Sequence, residues 1–347
     1  MILTGWRATS GRLCGAKAIA LTLSAFTVPV MVAATSDAPT PAASRTFEFN
    51  YTISVKDVPS TAKSLRIWVP VPMSDGQQEV TDLVIKGPVR HQMREEKEYG
   101  NHYAYLELDP SQAGTAQEIS MVFKATRHEN RVDLEKAPRA APAQAAPAEL
   151  KRSLERDRLV PLDGMIADLS RSETKNQEEP LDKARAIYKY VLSTMRYDKT
   201  GEGWGKGDAI FACNEKRGNC TDFHALLIGM MRAADIPARF EIGFPLPRDK
   251  NAGEIGGYHC WAQFWVDRLG WVPIDASEAW KDASRRDYFF GAHDANRILF
   301  SRGRDIHLDP PQKGKPLNYF VYPYAELDGE PWTGLKTTFS FRDLSTS

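Results

Sequence analysis

The sequence lacks an excess of either charge, because its 347 residues contain 45 Lys and Arg against 45 Asp and Glu. A neutral chain offers no electrostatic basis for nucleic acid or an anionic membrane as the main partner. Cysteine is also scarce, and four residues are too few to build a disulfide scaffold of this length. Beyond residue 34, no apolar run is long enough to cross a bilayer. What is present, 42% hydrophobic and 26% charged residues, is typical of a globular enzyme or binding protein.

The N-terminal segment has the pattern of a secretory signal. Only three charged side chains precede Asp37, and all are basic: Arg7, Arg12 and Lys17. An uncharged run from residue 18 to 34 follows them and ends in small residues. A basic start, an apolar middle and a small-residue end are typical of a signal peptide. We therefore expect residues 1–34 to direct export to the periplasm or the outside of the cell, with an uncleaved membrane anchor as the alternative.

Changes in composition divide the rest of the chain into two predicted domains. Residues 35–45 and 136–150 are rich in Pro and Ala, and we expect both to be linkers. Between them, residues 46–135 contain short alternating stretches such as FEFNYTISV and HYAYLELDP, separated by turn-forming residues. This pattern predicts a small antiparallel β-sandwich. The second predicted domain is 151–347, and apolar residues at helical spacing over 181–195 predict a core-facing helix within it.

The most informative segment predicts a helix with a cysteine at its start. Gly218 and Asn219 allow a sharp turn, and the run 221–234 is apolar on almost every side, as in a buried helix. Cys220 therefore lies at the helix N-terminus, where free N–H groups and the helix dipole favour a thiolate and can hold an oxyanion. A small buried hydrophobic residue would suit the same position, and position alone does not decide between the two.

A predicted β-hairpin follows and carries a histidine and an aspartate. Residues 258–266 and 271–275 have the pattern of its two strands, with DRLG as the turn. His259 and Asp275 share a face only if paired residue numbers sum to an even value, whereas a two-residue loop at 268–269 would place them on opposite faces. With the permissive register, thiol, imidazole and carboxylate form the arrangement of an activated cysteine nucleophile.

Together these residues resemble the transglutaminase-like superfamily, a papain-related group of cysteine transferases and peptidases. The matching motifs are GNCTDF at 218–223, AADIPAR at 233–239, YHCW at 258–261 and GWVPID at 270–275. The resemblance is close over residues 180–280. It implies an α+β fold, in which a cysteine-bearing helix packs on an antiparallel sheet, here preceded by the all-β sandwich. It also implies Cys220 as the nucleophile, His259 as the general base and Asp275 as its orienting partner.

Several neighbouring residues are weaker candidates. Trp204 and Asn219 precede the nucleophile and are candidate neighbours of the acyl site or the oxyanion. His224 is expected to be a packed or hydrogen-bonded helix residue rather than the base. Asp235 stands at the helix end, where glycine is common in the family, and Asp tolerates the left-handed conformation at small cost.

The cysteines leave two alternatives open. Four side chains are potential ligands of a zinc ion: Cys213, Cys220, His259 and Cys260. They lack the close C-x2-C spacing of zinc sites, and the adjacent strand residues His259 and Cys260 point to opposite faces, so a shared metal is disfavoured. A disulfide between Cys213 and Cys260 is more plausible in an oxidising compartment and leaves Cys220 free. We expect neither a metal nor a cofactor.

The sequence therefore predicts an exported cysteine enzyme that acts on amide bonds of a peptide or protein substrate. A component of the cell envelope is one candidate substrate. Water as the acyl acceptor gives hydrolysis and a lysine amine gives cross-linking; export and the lack of an EF-hand-like calcium loop favour hydrolysis. The alternative is a catalytically silent binding module of the cell envelope with the same fold.

Overall fold

The computed structural model describes residues 43–109, 117–135 and 148–344. The expected signal segment and most of both expected linkers lie outside these ranges. In the first part of the described chain the elements are β1 (Ser44–Val55), β2 (Leu65–Val71), β3 (Gln78–Lys86), β4 (Gln92–Glu95), β5 (His102–Leu108), β6 (Gln117–His128) and β7 (Asn130–Arg131).

Helices and strands then alternate in the second part of the chain. Its elements are α1 (Ala148–Arg152), α2 (Gly164–Thr174), α3 (Pro180–Thr194), β8 (Arg196–Tyr197), α4 (Ala209–Glu215), β9 (Arg217–Gly218), α5 (Cys220–Ala233), β10 (Ala238–Pro245), β11 (Ala252–Glu254), β12 (His259–Val266), β13 (Gly270–Ile274), α6 (Ala276–Lys281), β14 (Ala292–His293), β15 (Arg297–Arg302), β16 (Tyr324–Leu327), β17 (Glu330–Pro331) and β18 (Leu335–Asp343).

Two five-stranded sheets contain β1 to β6 of the N-terminal β-rich region, whereas β7 pairs with β14 in a two-stranded sheet. One five-stranded sheet has the order β11–β18–β1–β6–β3 and the other β17–β16–β2–β5–β4. The burial of β1 alternates with the period of two from which the strand was predicted. Its fully or almost fully buried residues are Phe47, Phe49, Tyr51, Ile53 and Val55. One buried face of each sheet belongs to a shared apolar cluster, whereas Trp68 on β2 and Tyr103 on β5 belong to a second, smaller cluster. The prediction of a β-rich N-terminal region is thus confirmed.

Strands from the end of the chain complete both of these sheets. β18 pairs antiparallel with β1, with Phe47 opposite Asp343, and β16 pairs with β2, with Leu65 opposite Leu327. The predicted range 46–135 did not include these partners, because alternation within a strand carries no information about a partner so distant in sequence.

A four-stranded antiparallel sheet, β13–β12–β10–β15, contains the hairpin with the histidine. Helix α5 packs against β12 and β10 on one side and against α2, α3 and α4 on the other. This double contact explains why α5 is apolar on almost every side. At its C-terminal end Asp235 has φ 60°, which confirms the expected left-handed conformation there.

Aromatic packing joins the four-stranded sheet to the first five-stranded sheet. The Phe49 ring lies 5.3 Å from that of Phe123, 5.6 Å from that of Phe244 on β10 and 5.7 Å from that of Phe300 on β15. Aromatic pairs at these distances add to the stabilisation from burial. The sheet that carries the candidate site therefore rests directly on the N-terminal β-rich region, and the α+β fold is confirmed.

Candidate active site

Cys220 is the first residue of α5, and two side chains hold that first turn. The Asn219 Oδ1 atom accepts a hydrogen bond from the backbone N–H of Thr221 at 2.9 Å, while Asp222 Oδ2 accepts one from the backbone N–H of Asn219 at 2.9 Å. This reciprocal capping satisfies donors that a helix N-terminus otherwise leaves free. Cys220 is 2% exposed, and its thiol therefore lies at a buried, rigid helix start.

Asp222 also fastens the loop that precedes the cysteine. Its carboxylate accepts hydrogen bonds from the backbone N–H groups of Gly205 at 2.7 Å and Gly207 at 3.0 Å. Asp222 has no role in the prediction from sequence, although its spacing from Asn219 is that of a capping pair. Trp204 lies in the same loop, and its indole N–H donates to the Gly201 carbonyl at 3.0 Å. The indole donor is thus used within its own loop, and a role of Trp204 at the acyl site stays a prediction.

The hairpin has the register that the triad requires. Gln263 on β12 lies opposite Pro273 on β13, so the paired residue numbers sum to an even value. The last pair is Val266 and Gly270, which leaves a three-residue loop in place of the two-residue loop that would separate His259 from Asp275. Gly270 has φ 74°, a conformation that favours glycine and closes such loops.

His259 and Asp275 consequently meet. The Nε2 atom of His259 lies 2.8 Å from Oδ2 of Asp275, and both side chains are buried. Asp275 caps helix α6, where its Oδ1 accepts hydrogen bonds from the Glu278 backbone N–H at 3.0 Å and the Ser277 hydroxyl at 3.1 Å. Because Nε2 is bound to the carboxylate, the other ring nitrogen of His259 remains for the thiol, with which His259 makes a side-chain hydrogen bond.

The charges of this group favour a thiolate–imidazolium pair. Burial opposes ionisation of Cys220, but hydrogen bonds from Cys260 and His259 and the charge of His259 hold the pKa of Cys220 well below its usual value. Burial likewise opposes protonation of His259, but Asp275 and the contact with Cys220 raise the pKa of His259 to about 10. His259 and then Arg297 overcome the burial of Asp275 and keep its pKa well below the ordinary range. A thiolate is the nucleophilic form of cysteine, and the arrangement is that of an activated nucleophile.

Cys260 on β12 and His224 on α5 face each other where the helix packs on the strand. The Cys260 sulfur contacts Cys220 and lies 3.6 Å from Nδ1 of His224. His224 is fully buried, with Nδ1 donating to the Cys220 carbonyl at 2.8 Å and Nε2 accepting from the Ala276 N–H at 3.2 Å. His224 is thus a hydrogen-bonded helix residue. Cys213, Cys220 and Cys260 are all free thiols in the structure, so the predicted pairing of Cys213 with Cys260 is not formed there.

A cluster of three tyrosines lies beside Asn219, the residue that precedes Cys220. Tyr258 accepts a hydrogen bond from the side-chain amide of Asn219 at 2.9 Å, and its ring packs on those of Tyr319 at 5.5 Å and Tyr322 at 5.9 Å. All three rings are half-buried. Asn219 therefore acts in two ways, capping α5 with its oxygen and holding Tyr258 with its nitrogen.

Over residues 43–109, 117–135 and 148–344, no group of three or more His, Cys, Asp and Glu side chains is placed to hold a metal ion. In that same part of the chain, no helix has the length and apolar character needed to span a bilayer.

Comparison with known proteins defines the class to which this geometry belongs. Residues 167–276 match the sequence model of the transglutaminase-like superfamily, a range that includes α5, the hairpin and Asp275. This part of the chain is therefore a transglutaminase-like domain, and the resemblance seen in the motifs is confirmed.

Particular relatives extend the similarity beyond that domain. An uncharacterized protein from Haemophilus influenzae is 26% identical over 320 residues, which cover 82% of this chain and 86% of that protein. The uncharacterized protein YebA from Bacillus subtilis is 24% identical over 126 residues, 32% of this chain and 17% of that protein. Among solved structures, a candidate cysteine protease from Cytophaga hutchinsonii has a TM-score of 0.61 at 16% identity and covers 89% of this chain and 93% of its own. At that identity the likeness shows a shared fold alone.

Proposed function

We propose that the protein is a cysteine-type amide hydrolase that acts on a peptide or protein substrate through an acyl-enzyme. The observation that carries the proposal is the continuous buried chain of hydrogen bonds from the Cys220 thiol through His259 to Asp275. A nucleophile, a base and a group that orients the base have distinct tasks in acyl transfer, and each of the three residues is placed for one of them.

The proposed reaction follows from this placement. The Cys220 thiolate attacks the amide carbonyl carbon, a C–S bond forms, and the oxyanion is held by the backbone N–H of Cys220, which neither capping contact uses. The imidazolium of His259 then gives its proton to the nitrogen as the C–N bond breaks, and the amine leaves. Water, deprotonated by the now neutral His259, attacks the thioester, and the acid product and the thiolate are released with the imidazolium restored.

Hydrolysis is proposed over cross-linking on three grounds. The sequence contains no EF-hand-like calcium loop, and its first 34 residues predict export to the periplasm or the outside of the cell. The structurally similar protein from Cytophaga hutchinsonii is described as a candidate cysteine protease, which also favours water as the acceptor. Incubation of acylated enzyme with a fluorescent primary amine separates the two: hydrolysis predicts free acid product, whereas cross-linking predicts the labelled amide.

The first test is the reactivity of Cys220 toward iodoacetamide between pH 4 and 9, followed by peptide mass. Cys213 is an internal control, because burial raises the pKa of this half-buried thiol. We expect fast alkylation of Cys220 well below pH 8, slow alkylation of Cys213, and loss of the difference in His259→Ala. Equal, ordinary profiles for both thiols would contradict the activated nucleophile and favour the silent binding module.

A further inference from the structure

Arg297, a buried cation on β15, contacts the same carboxylate oxygen as His259. Its Nη1 atom donates to Oδ2 of Asp275 at 3.0 Å, while Nε2 of His259 lies 2.8 Å from that oxygen. The second oxygen, Oδ1, is occupied by the Ser277 hydroxyl and the Glu278 backbone N–H. Both oxygens of Asp275 are therefore engaged, and its carboxylate is held in one orientation.

Arg297 is itself fixed and stays charged. It is 2% exposed, its guanidinium lies 4.8 Å from the centre of the Trp261 ring, and its Nη2 lies 3.6 Å from Oδ1 of Asp294. Burial alone would lower the pKa of Arg297, but Asp294 and Asp275 more than offset this and raise it. A planar guanidinium between two carboxylates is suited to hold both in place without losing its charge.

We propose that Arg297 is a positioning residue of the candidate active site, which fixes the Asp275 carboxylate for His259 and limits how strongly that carboxylate retains the imidazolium proton. The inference rests on the proposed function and deepens it. A carboxylate with one cationic partner stabilises the protonated form of that partner with its full, uncompensated charge. Here two cations share one oxygen, so the imidazolium releases its proton more readily to the leaving amine.

The direction of the effect follows from the sign of the charge. Arg297 repels the proton on His259 and competes for Asp275, so loss of its charge must raise the pKa of His259. Other ionisable groups face this pair from the neighbouring elements and remain in every variant below: Tyr188 on α3, His224 on α5, Cys260 on β12, Glu278 on α6, His293 on β14 and Asp294 beside β15.

The test follows the ring signals of His259 by NMR as a function of pH, with ¹⁵N-labelled histidine. The parent is Cys220→Ala, so the titration does not depend on a nucleophile or on turnover. Added to that parent, Arg297→Met is expected to raise the titration midpoint of His259 by about one pH unit. Arg297→Lys keeps the charge and is expected to move it far less.

A matched control is Arg285→Met. Arg285 also pairs with Asp294, at 3.1 Å, and its loss is expected to leave the His259 midpoint unchanged. Should Arg297→Met fail to fold, Arg297→Gln replaces it, because the amide keeps a donor to Asp275 but has no charge. A midpoint that stays in place in the folded, uncharged variant, or that moves equally with Lys, would overturn the proposal.

The same Arg297 variants, made in a protein that retains Cys220, separate this inference from the proposed function. The rate of Cys220 alkylation should change a second time where His259 loses its proton and the thiolate is no longer ion-paired, and this inflection should lie at a higher pH in Arg297→Met than in the wild type. If wild-type Cys220 reacts no faster than Cys213, the proposed function fails. The NMR midpoint in Cys220→Ala still decides whether Arg297 controls His259.

Discussion

The Cys260 sulfur lies 3.6 Å from Nδ1 of His224, although Cys260 directly follows the candidate base His259 in sequence. The same sulfur makes a side-chain hydrogen bond with Cys220. Burial is the main reason that the pKa of Cys260 is raised well above its usual value, so its thiol keeps its proton. Cys260 is thus a donor to the nucleophile from the helix side of β12.

Replacing Cys260 with Ala should make Cys220 harder to ionise, because the thiolate loses a hydrogen-bond donor. We expect the acid limb of Cys220 alkylation to move to higher pH by about one unit, with a smaller shift in Cys260→Ser. Absorbance of the thiolate near 240 nm provides a second readout, with Cys220→Ala as its blank. Cys213→Ala should leave the limb in place, and an acid limb unchanged by Cys260→Ala would refute the role.

Asp275→Asn keeps the shape of the side chain but removes the charge that acts on His259. The pKa of His259, raised to about 10 by Asp275 and the contact with Cys220, should fall toward the ordinary range for histidine. The acid limb of alkylation, where Cys220 ionises, should move to higher pH because the thiolate loses part of its cationic partner, and the basic inflection, where His259 loses its proton, should move to lower pH. Rates between pH 4 and 11 measure both limbs. Asp294→Asn, which alters the other partner of Arg297, should shift them far less, and identical limbs in Asp275→Asn and wild type would argue against the ion pair.

Asp222→Ala should destabilise the start of α5. Three backbone N–H groups lose their acceptor, those of Gly205, Gly207 and Asn219. We expect the free energy of unfolding in urea to fall by about 3 kcal/mol. Asp163→Ala is the matched control, because Asp163 caps α2 without a side-chain hydrogen bond, and a loss of about 0.5 kcal/mol or less is expected there. Equal losses in the two variants would show that the capping contacts contribute little.

Glu241 should contribute stability that depends on pH. Burial opposes its ionisation, but Arg302 and Arg239 hold the pKa of Glu241 below its unfolded value of about 4.3. Stability from such a group is present above the unfolded pKa and is lost as pH falls through the folded pKa.

At pH 7, Glu241→Gln should therefore lower the free energy of unfolding by roughly 3 kcal/mol, since it leaves buried arginines short of a partner. The difference from wild type should shrink as the pH falls below about 4. Denaturant unfolding from pH 3 to 8 measures it, with the exposed Glu254→Gln as the comparison. A difference that stays constant over this range would mean that the charge of Glu241 is not its source.

Periodicity predicted the elements of the site, but their pairing required the structure. Alternation identified β1, and an apolar run with a turn before it identified α5, because both patterns are local. The hairpin register depends on one residue of loop length, and only the structure shows that Gly270 closes a three-residue loop. Asp222 could have been found from the capping pattern that it forms with Asn219.

Arg297 and Cys260 show a different limit. Arg297 reaches Asp275 because β15 pairs with β10, and nothing in the sequence near Asp275 indicates that pairing. Strand alternation predicts that Cys260 and His259 point to opposite faces of β12. Alternation does not indicate that Cys220, at the start of its helix, interacts with both of these neighbours.

Because β1 pairs with β18, the first five-stranded sheet cannot be complete before the residues of β18 have been synthesised. Until Asp343 has been synthesised, β1 lacks one of its two neighbours and presents a long unpaired edge. Phe49 of that same strand packs on aromatic rings of β10, which neighbours the strand that carries His259, and of β15 on the far side of β10. A chain that contains Cys220, His259 and Asp275 but not yet β18 therefore still lacks one strand of the sheet on which their own sheet rests.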